Sequence, residues 1–275
     1  MIATDTFSKA AEAILLADSL LIIAGAGMDD DSGLGDYRGE QDCFENYSDF
    51  IRNTLLFKEM TDPKLFINDP KRAWGFYGFQ YNLYKQTTPH SGYEILKKWC
   101  KSKSSACFVH TSNINGFFRK SGFAEKAMYE SHGTINYFQC ATPCNTDIWY
   151  EPNLDFEIDD ELLLANNILP KCKKCGGVSR PNTLAFKDPY WLQSRTEQQE
   201  TNYKNWQTIN ENKNIAIIEL GVSNSGFSIH HASCKSSDTT IQINSKSIRD
   251  HKNTLSIKST PQYALTTINK YLNEN

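Results

Sequence analysis

With 275 residues, 39% of them hydrophobic and 12% aromatic, the chain holds enough apolar material for one large α/β domain or two modest ones, which excludes disorder as its general state. The 32 acidic and 29 basic residues leave a net charge of −3, a balance that argues against a nucleic-acid-binding surface. No apolar run approaches about 20 residues, so no membrane span is expected, and the N-terminal MIATDTFSKA lacks the basic-then-apolar layout of a secretory signal, so the expectation is a cytoplasmic protein.

Residues 4–18 read as an amphipathic helix with Ala11, Ile14 and Leu15 on its apolar side and Asp5 or Thr6 as its cap. Leu20–Ala24 is apolar at every position, the pattern of a parallel strand buried on both faces. It breaks into Gly25-Ala26-Gly27, where the backbone can turn sharply and approach a ligand. A strand, a glycine turn and an expected helix start make an anion site. The third position of the pattern is Asp30 rather than glycine, so on its own the turn is more often an ordinary strand-to-helix connection. Its continuation, Ser32-Gly33-Leu34-Gly35-Asp36-Tyr37-Arg38-Gly39, adds a carboxylate, an aromatic and an arginine close by.

Residues 37–49 are polar and aromatic without period, either a loop that covers a ligand or a plain surface loop. Residues 49–84 look helical in pieces cut at Pro63 and Pro70, with Asp69-Pro70 as a cap-plus-proline start. The aromatics Trp74, Phe76, Tyr77, Phe79, Tyr81 and Tyr84 are too many for a thin stripe and read mostly as core, with one or two able to line a pocket. A helix is expected over 91–101, and a short buried strand over 106–110. That strand ends in the polar Thr111-Ser112-Asn113-Ile114-Asn115-Gly116, at the place where open α/β sheets bind ligands. Met128–Gly133 repeats the layout with His132 and Gly133 at its end. Further strands are expected at 214–221 and, as the last, 241–244, followed by a helix over 261–272.

Cys140-x-x-x-Cys144 and Cys172-x-x-Cys175 form two knuckles, the second followed by Gly176-Gly177. Four thiolates suit tetrahedral zinc with no open position, a structural site rather than a catalytic one. The other readings are four unlinked cysteines or an oxidised pair, and a nucleic-acid-binding zinc ribbon is disfavoured by the charge balance. Cys43 and Cys234 have no such partners, and Cys100 and Cys107 read as core cysteines.

In this order the motifs resemble those of the bacterial sirtuins over roughly residues 10–269. Gly25–Gly39 is similar to G-A-G-x-S-x-x-S-G-I-P-D-F-R-G, Thr111–Gly116 with Ser121-Gly122 to T-Q-N-I-D-G-L-H-x-x-A-G, and Glu130–Thr134 to E-L-H-G-S. Cys175–Pro181 resembles C-G-G-x-L-R-P, Gly221-Val222-Ser223 the later G-T-S, and Ile243-Asn244 the start of I-N-x-E. The resemblance implies an α/β fold: a Rossmann-like parallel sheet domain (1–45, 91–135 and 186–275) with a smaller helical (46–90) plus zinc-ribbon (136–185) module, together one catalytic domain over 1–275. It implies NAD and an acylated protein or peptide in the cleft between the two parts. The acyl oxygen would attack C1′ of the nicotinamide ribose, nicotinamide would leave, and the acyl group would end on ADP-ribose. His132 would be the general base, although a lone histidine without that frame is more often structural. Asn113 would hold the ribose or a water. Gly25, Ala26 and Gly27 would admit the pyrophosphate. Asp36, Tyr37 and Arg38 would lie at the nicotinamide-ribose side, with Ser112 and Asn115 also on the cofactor. Gly221, Ser223 and Asn244 would contact the adenosine half, and Cys140, Cys144, Cys172 and Cys175 would hold structural zinc. No nucleic-acid or membrane partner is implied.

The chain departs from the family pattern at several of these positions. Asp29 stands where the family has Ser; it is a good helix cap, but with Asp30 and Asp31 it brings carboxylates toward bound phosphates, at about 1 kcal/mol per charge pair ~4 Å apart in water, unless the side chains point outward. Ser112 replaces Gln, Asn115 the Asp of N-I-D, Gly35 a Pro, Phe118 a His, and Lys187 the Gly of F-G-E/D. Tyr77 keeps its place in the Tyr-x-x-Arg pair that reads a succinyl carboxylate, but Gln80 replaces the arginine, which argues against succinyl-lysine. Asn115 and Lys187 motivate an alternative, ADP-ribosyl transfer or NAD hydrolysis. The Asp29 cluster motivates another, non-catalytic NAD or ADP-ribose binding.

Overall fold

The computed structural model describes residues 4–34, 57–159, 161–222, 238–246, 248 and 253–274. The first half runs through α1 (Thr4–Leu16), β1 (Ser19–Ala24), two single 3-10 turns (Ala26–Met28 and Asp30–Ser32), α2 (Phe57–Met60), α3 (Leu65–Asn68), α4 (Pro70–Gln86) and α5 (Gly92–Lys101). Then come β2 (Phe108–Thr111), α6 (Phe117–Lys120), β3 (Met128–Glu130), β4 (Gly133–Cys140), β5 (Trp149–Tyr150), β6 (Ile158–Asp159), β7 (Leu164–Ala165) and β8 (Ser179–Thr183). The chain closes with α7 (Ser194–Ile209), β9 (Ile215–Leu220), β10 (Thr239–Ile243), β11 (Thr254–Ile257) and α8 (Pro261–Glu274).

β11-β10-β9-β1-β2-β3 form one sheet, parallel at every pairing. β1 pairs on both sides, Leu21 with Phe108 of β2 and with Ile217 of β9. Its side chains alternate between two cores. Leu20, Ile22 and Ala24 pack with Ala11 and Ile14 of α1, Leu96 of α5 and Leu265 and Ile268 of α8. Leu21 and Ile23 pack on the other face with Tyr203 and Trp206 of α7. Burial on both faces is why the run is apolar at every position rather than every second one. Truncating a residue such as Ile22, which is fully buried, to alanine costs about 2–5 kcal/mol.

Three expectations are corrected here. Leu15 is 60% exposed, because the buried stripe of α1 is carried by Ala10, Ala11 and Ile14. Asp5 and Thr6 lie inside α1 rather than capping it, and Asp5 pairs with Lys9 one turn on, at 2.6 Å. The strand at Thr239–Ile243 is not the last; β11 adds a parallel edge beside it. Only Ile257 of β11 is buried, so this strand carries little of the hydrophobic pattern by which strands are read.

The smaller module joins α4 to the cysteine-bearing segment. α4 starts as expected, with the Asp69 side chain accepting from Arg72 N at 3.1 Å and Pro70 in its first turn. Trp74 stacks on Phe156 at 4.8 Å and 12°, and its Nε1 donates to Ser179 O at 2.9 Å. Phe138 of β4 lies 5.1 Å from Trp74. Most of the aromatics are therefore core, as read from the sequence, and Trp74 fastens α4 to β4, which pairs antiparallel with β5 and β8. Among the described residues no helix is long and apolar enough to cross a membrane.

Candidate functional site

The site begins where β1 ends. Gly25 N donates to Leu220 O at 3.0 Å and Gly27 N to Gly221 O at 3.1 Å, tying the ends of β1 and β9 together. Gly221 has φ 59°, and a Cβ there would lie 2.1 Å from the Gly27 carbonyl carbon. A Cβ on Gly25 would lie 2.8 Å from Gly221 O. The glycines at 25 and 221 are thus required by the contact of two strand ends, whatever ligand lies above them. The helix expected after Gly27 does not form; two 3-10 turns follow, and Asp29 makes no capping bond.

A cavity of about 390 Å³ opens beyond these strand ends. Ala26 and Asp29 border it after β1, Ser112, Asn113 and Asn115 after β2, and His132 after β3. Phe76, Tyr77, Gln80 and Tyr84 of α4 and Thr183–Phe186 close the other side. Five of the sequence-predicted residues, Ala26, Ser112, Asn113, Asn115 and His132, therefore share one space. They are joined there by Tyr77 and Gln80.

The three consecutive aspartates do not share one environment. Asp31 faces away from the cavity and accepts from Gln262 N, in the first turn of α8, at 2.7 Å. Asp29 is turned inward: its Oδ2 accepts from Asn113 Nδ2 and Asn115 Nδ2, both at 2.7 Å, and Tyr93 of α5 donates to its Oδ1 in a short contact. Burial raises the Asp29 carboxyl to about 7, against the hydrogen bonds from Tyr93 and Asn115, and Asp30 raises it further. The anion expected to oppose bound phosphates is thus a partnered acid that titrates near neutrality.

His132 follows β3 directly. Gly133, at φ 71°, allows the chain to pass against β8: a Cβ there would lie 2.0 Å from Asn182 O. Leu184 N donates to His132 O at 2.9 Å, and Ser131 N to Thr111 O at 2.9 Å. Burial lowers the His132 pKa below 6.5, partly opposed by a hydrogen bond with the Ser112 backbone, so the imidazole is neutral at pH 7 and can accept a proton. Behind it, burial and then His132 itself hold His110 at about 4, and the His110 ring stacks on Tyr129 at 4.4 Å.

Several supporting residues were not legible as such. Tyr93 and His90 stand on or just before α5. His90 Nε2 bonds Met28 O at 2.8 Å, and its Nδ1 accepts from Gly92 N at 3.0 Å, so the ring braces the turn that carries Asp29. Arg180 and Asp188 form a buried pair at 2.7 Å across the base of the segment bearing Phe186 and Lys187. No spacing in the sequence relates these partners. Phe118, expected as a histidine by the family pattern, packs against Tyr93 at 4.9 Å.

Other predicted residues lie apart from the cavity or outside the described residues. Asn244 is buried at the end of β10, where its Nδ2 donates to Val222 O at 2.9 Å and its Oδ1 accepts from Lys246 N at 2.9 Å. Gly25, Gly27 and Gly221 form the backbone contact described above. Asp36, Tyr37, Arg38 and Ser223 lie outside the described residues, as do Gly35, Cys43, Cys234 and the loop over 37–49.

The four cysteines of the two knuckles meet. The Sγ atoms of Cys140, Cys144, Cys172 and Cys175 all lie within 4.8 Å of one another. Cys140–Cys175 and Cys144–Cys172 are each separated by 3.7 Å, close to the edge of about 3.8 Å that a tetrahedron with Zn–S near 2.3 Å requires. The thiols are free of disulfides, and Lys174 N points at Cys172 Sγ at 3.5 Å. The donor set and geometry fit zinc with every position filled by protein. A larger depression, about 630 Å³, opens beside this cluster and contains none of the strand-end residues.

A profile of the Sir2 family matches residues 25–208. Among curated proteins, the chain is 27% identical over 168 residues to an NAD-dependent protein deacylase of Aquifex aeolicus, covering 61% of each. It is 27% identical over 183 residues to an NAD-dependent protein deacetylase of Saccharolobus solfataricus, covering 66% of each. It is 26% identical over 232 residues to a probable bifunctional ADP-ribose hydrolase/ADP-ribosyltransferase of Fusarium oxysporum f. sp. cubense, covering 79% of this chain but 37% of that protein. The chain thus spans under two thirds of the length of the deacylase and little more than a third of the fungal protein. In fold it resembles a Sir2 homolog–NAD complex (TM-score 0.68, 18% identity, 97% of this chain and 93% of that one) and a Sir2–p53 peptide–NAD+ complex (TM-score 0.64, 18% identity, 96% and 97%). With the family profile matching well over half of the residues, the chain belongs to the Sir2 family.

Proposed function

We propose that the protein is an NAD-dependent protein lysine deacylase, moving an acyl group from lysine to ADP-ribose with release of nicotinamide. The observation that supports this most is the meeting of a neutral, half-buried histidine with two asparagine amides and a serine at the C-terminal ends of β2 and β3. Such a set fits a ligand rich in hydroxyl and amide groups, as NAD is. NAD supplies the electrophilic ribose carbon when bound.

The roles of the chain's own groups follow from their surroundings. His132 accepts a hydroxyl proton. Asn113, with its Nδ2 donating to Gly25 O at 2.9 Å and to Asp29 at 2.7 Å, offers its carbonyl oxygen to a hydroxyl or a water. Phe76, Tyr77 and Tyr84 form a largely apolar wall that excludes water from one side. Ala26, Ser112 and Asn115 border the cofactor, and Asp36, Tyr37, Arg38, Gly221, Ser223 and Asn244 are assigned to it by the family pattern alone. Among the described residues bordering the cavity none is lysine or arginine, so a neutral acyl group such as acetyl suits it better than succinyl. Zinc at the four cysteines is structural. The partner is an acylated protein or peptide, the location cytoplasmic, and the division into a large sheet domain and a small helical and zinc module follows the ranges given from the sequence.

One observation favours the alternative of ADP-ribosyl transfer. Lys187 sits at φ 52° where the family pattern has glycine, beside the exposed Phe186, so the rim that would receive a peptide is altered. Mass spectrometry of the products formed from NAD with and without a panel of acyl-lysine peptides separates the two. Peptide-dependent acyl-ADP-ribose supports deacylation; ADP-ribose attached to protein, with no deacylated peptide, rejects it.

A further inference from the structure

The inward-facing carboxyl of Asp29 has a specific geometric effect. Its Oδ2 accepts one amide hydrogen from Asn113 and one from Asn115. The other Asn113 amide hydrogen goes to Gly25 O at 2.9 Å. Both N–H bonds of Asn113 are therefore committed, and its carbonyl oxygen is what remains for a ligand. Asn115 is committed differently. Its Oδ1 accepts from Phe117 N at 3.0 Å, so what remains is a single N–H donor. Without Asp29, each amide could rotate by half a turn and exchange donor for acceptor.

We propose that Asp29 is a positioning residue of the cavity, fixing the Asn113 amide with its acceptor toward a ligand and the Asn115 amide with its donor toward it. The carboxyl performs this in either protonation state, because a proton would reside on Oδ1, on the side shared with Tyr93, while Oδ2 keeps both amides. Its ionisation nonetheless changes the strength of those bonds. The groups around it are Asp30 on its own turn, Tyr93 from α5, His90 from the segment before α5, Tyr77 and Tyr84 from α4, and His132 after β3. Of these, burial holds His90 and His132 below 6.5, and burial raises Tyr77 to about 12 and Tyr93 well above 10.0. Burial raises Asp29 itself to about 7.

The kinetic part of this proposal rests on the cavity being the NAD site; its structural part does not. The side-chain amide NMR signals of Asn113 and Asn115 can be followed in ligand-free protein across pH 5.5 to 8.5, a window of about 1.5 units on each side of neutrality. In the wild type both signals should titrate together with one midpoint. In Asp29→Asn, a neutral isostere, they should keep their low-pH wild-type positions and stop titrating. In Asp29→Ala both should move toward the values of free amides. Signals that ignore Asp29→Ala, or that titrate in Asp29→Asn with the wild-type midpoint, overturn the proposal. With NAD, Asp29→Ala should raise KM about tenfold or more while kcat changes less, and Asp29→Asn should recover most of that loss. Coupled amide signals without any NAD turnover in the wild type would leave the positioning role standing and remove the deacylase reading alone.

Discussion

Cys140 and Cys144 leave the end of β4 as one knuckle, and Cys172 and Cys175 return as another, so the cysteine cluster draws on two short segments. The strand-end cavity draws on the ends of β1, β2 and β3, on the inner face of α4 and on the segment after β8. The two differ in what holds them. In the cluster, the ligand spacing is itself the design, and a bound ion supplies the cross-link. In the cavity the arrangement depends on a parallel sheet buried on both faces and on polar side chains far apart in sequence that satisfy one another inside it. A change in the cluster should therefore act on stability, and a change at a cavity residue that carries no buried acid on chemistry.

The largest expected effect is on chemistry. His132→Ala should lower peptide-dependent nicotinamide release at least about 100-fold, with metal content and thermal midpoint close to wild type. A loss of metal or of folded protein in that variant would show that the two regions are not independent.

Next is the converse. Cys172→Ser, or a strong chelator, should remove the metal and lower stability by about 3 kcal/mol or more, read from denaturant unfolding. Activity should fall only in step with the folded fraction. A variant that keeps full stability without metal would show that zinc is not structural here.

Asp29→Asn tests the buried acid through pH. The Asp29 pKa is raised from 3.8 to about 7 by burial, so the folded state binds this proton more tightly than the unfolded state does. Stability from this group is complete below about 4, falls as pH rises toward 7, and is constant above it. Asp29→Asn lacks that loss. Its unfolding free energy should gain on wild type by about 2–4 kcal/mol between pH 4 and pH 8. Parallel stability curves would place the carboxyl in water rather than in the cavity floor.

The smallest effect is at the rim. Lys187 adopts φ 52°, a conformation that favours glycine. Lys187→Gly should stabilise the protein by about 1 kcal/mol, measured by denaturant midpoint, with no change in metal content.

The same contrast decides what could be read from the sequence. β1 was legible because burial on both faces leaves a run without polar residues, and the four cysteines were legible because their spacing is that of a local chelate. His132, Asn113 and Asn115 were placed at strand ends by the polar clusters that terminate short apolar runs. The meaning of Asp29 was not legible. Its hydrogen-bond partners are Tyr93, Asn113 and Asn115, more than 60 residues away, and it reads locally as a cap or as a charge facing solvent. β11 escaped for a different reason: at the sheet edge only Ile257 is buried, so no pattern marks it.

In the proposed reaction the cavity couples NAD cleavage to lysine deacylation through His132. The most direct test is the stoichiometry of nicotinamide released to lysine unmasked, followed on one acetylated peptide in a single time course. A deacylase should give equal amounts at every time point and no nicotinamide without peptide. Nicotinamide released at the same rate in the absence of peptide would reject the deacylase reading.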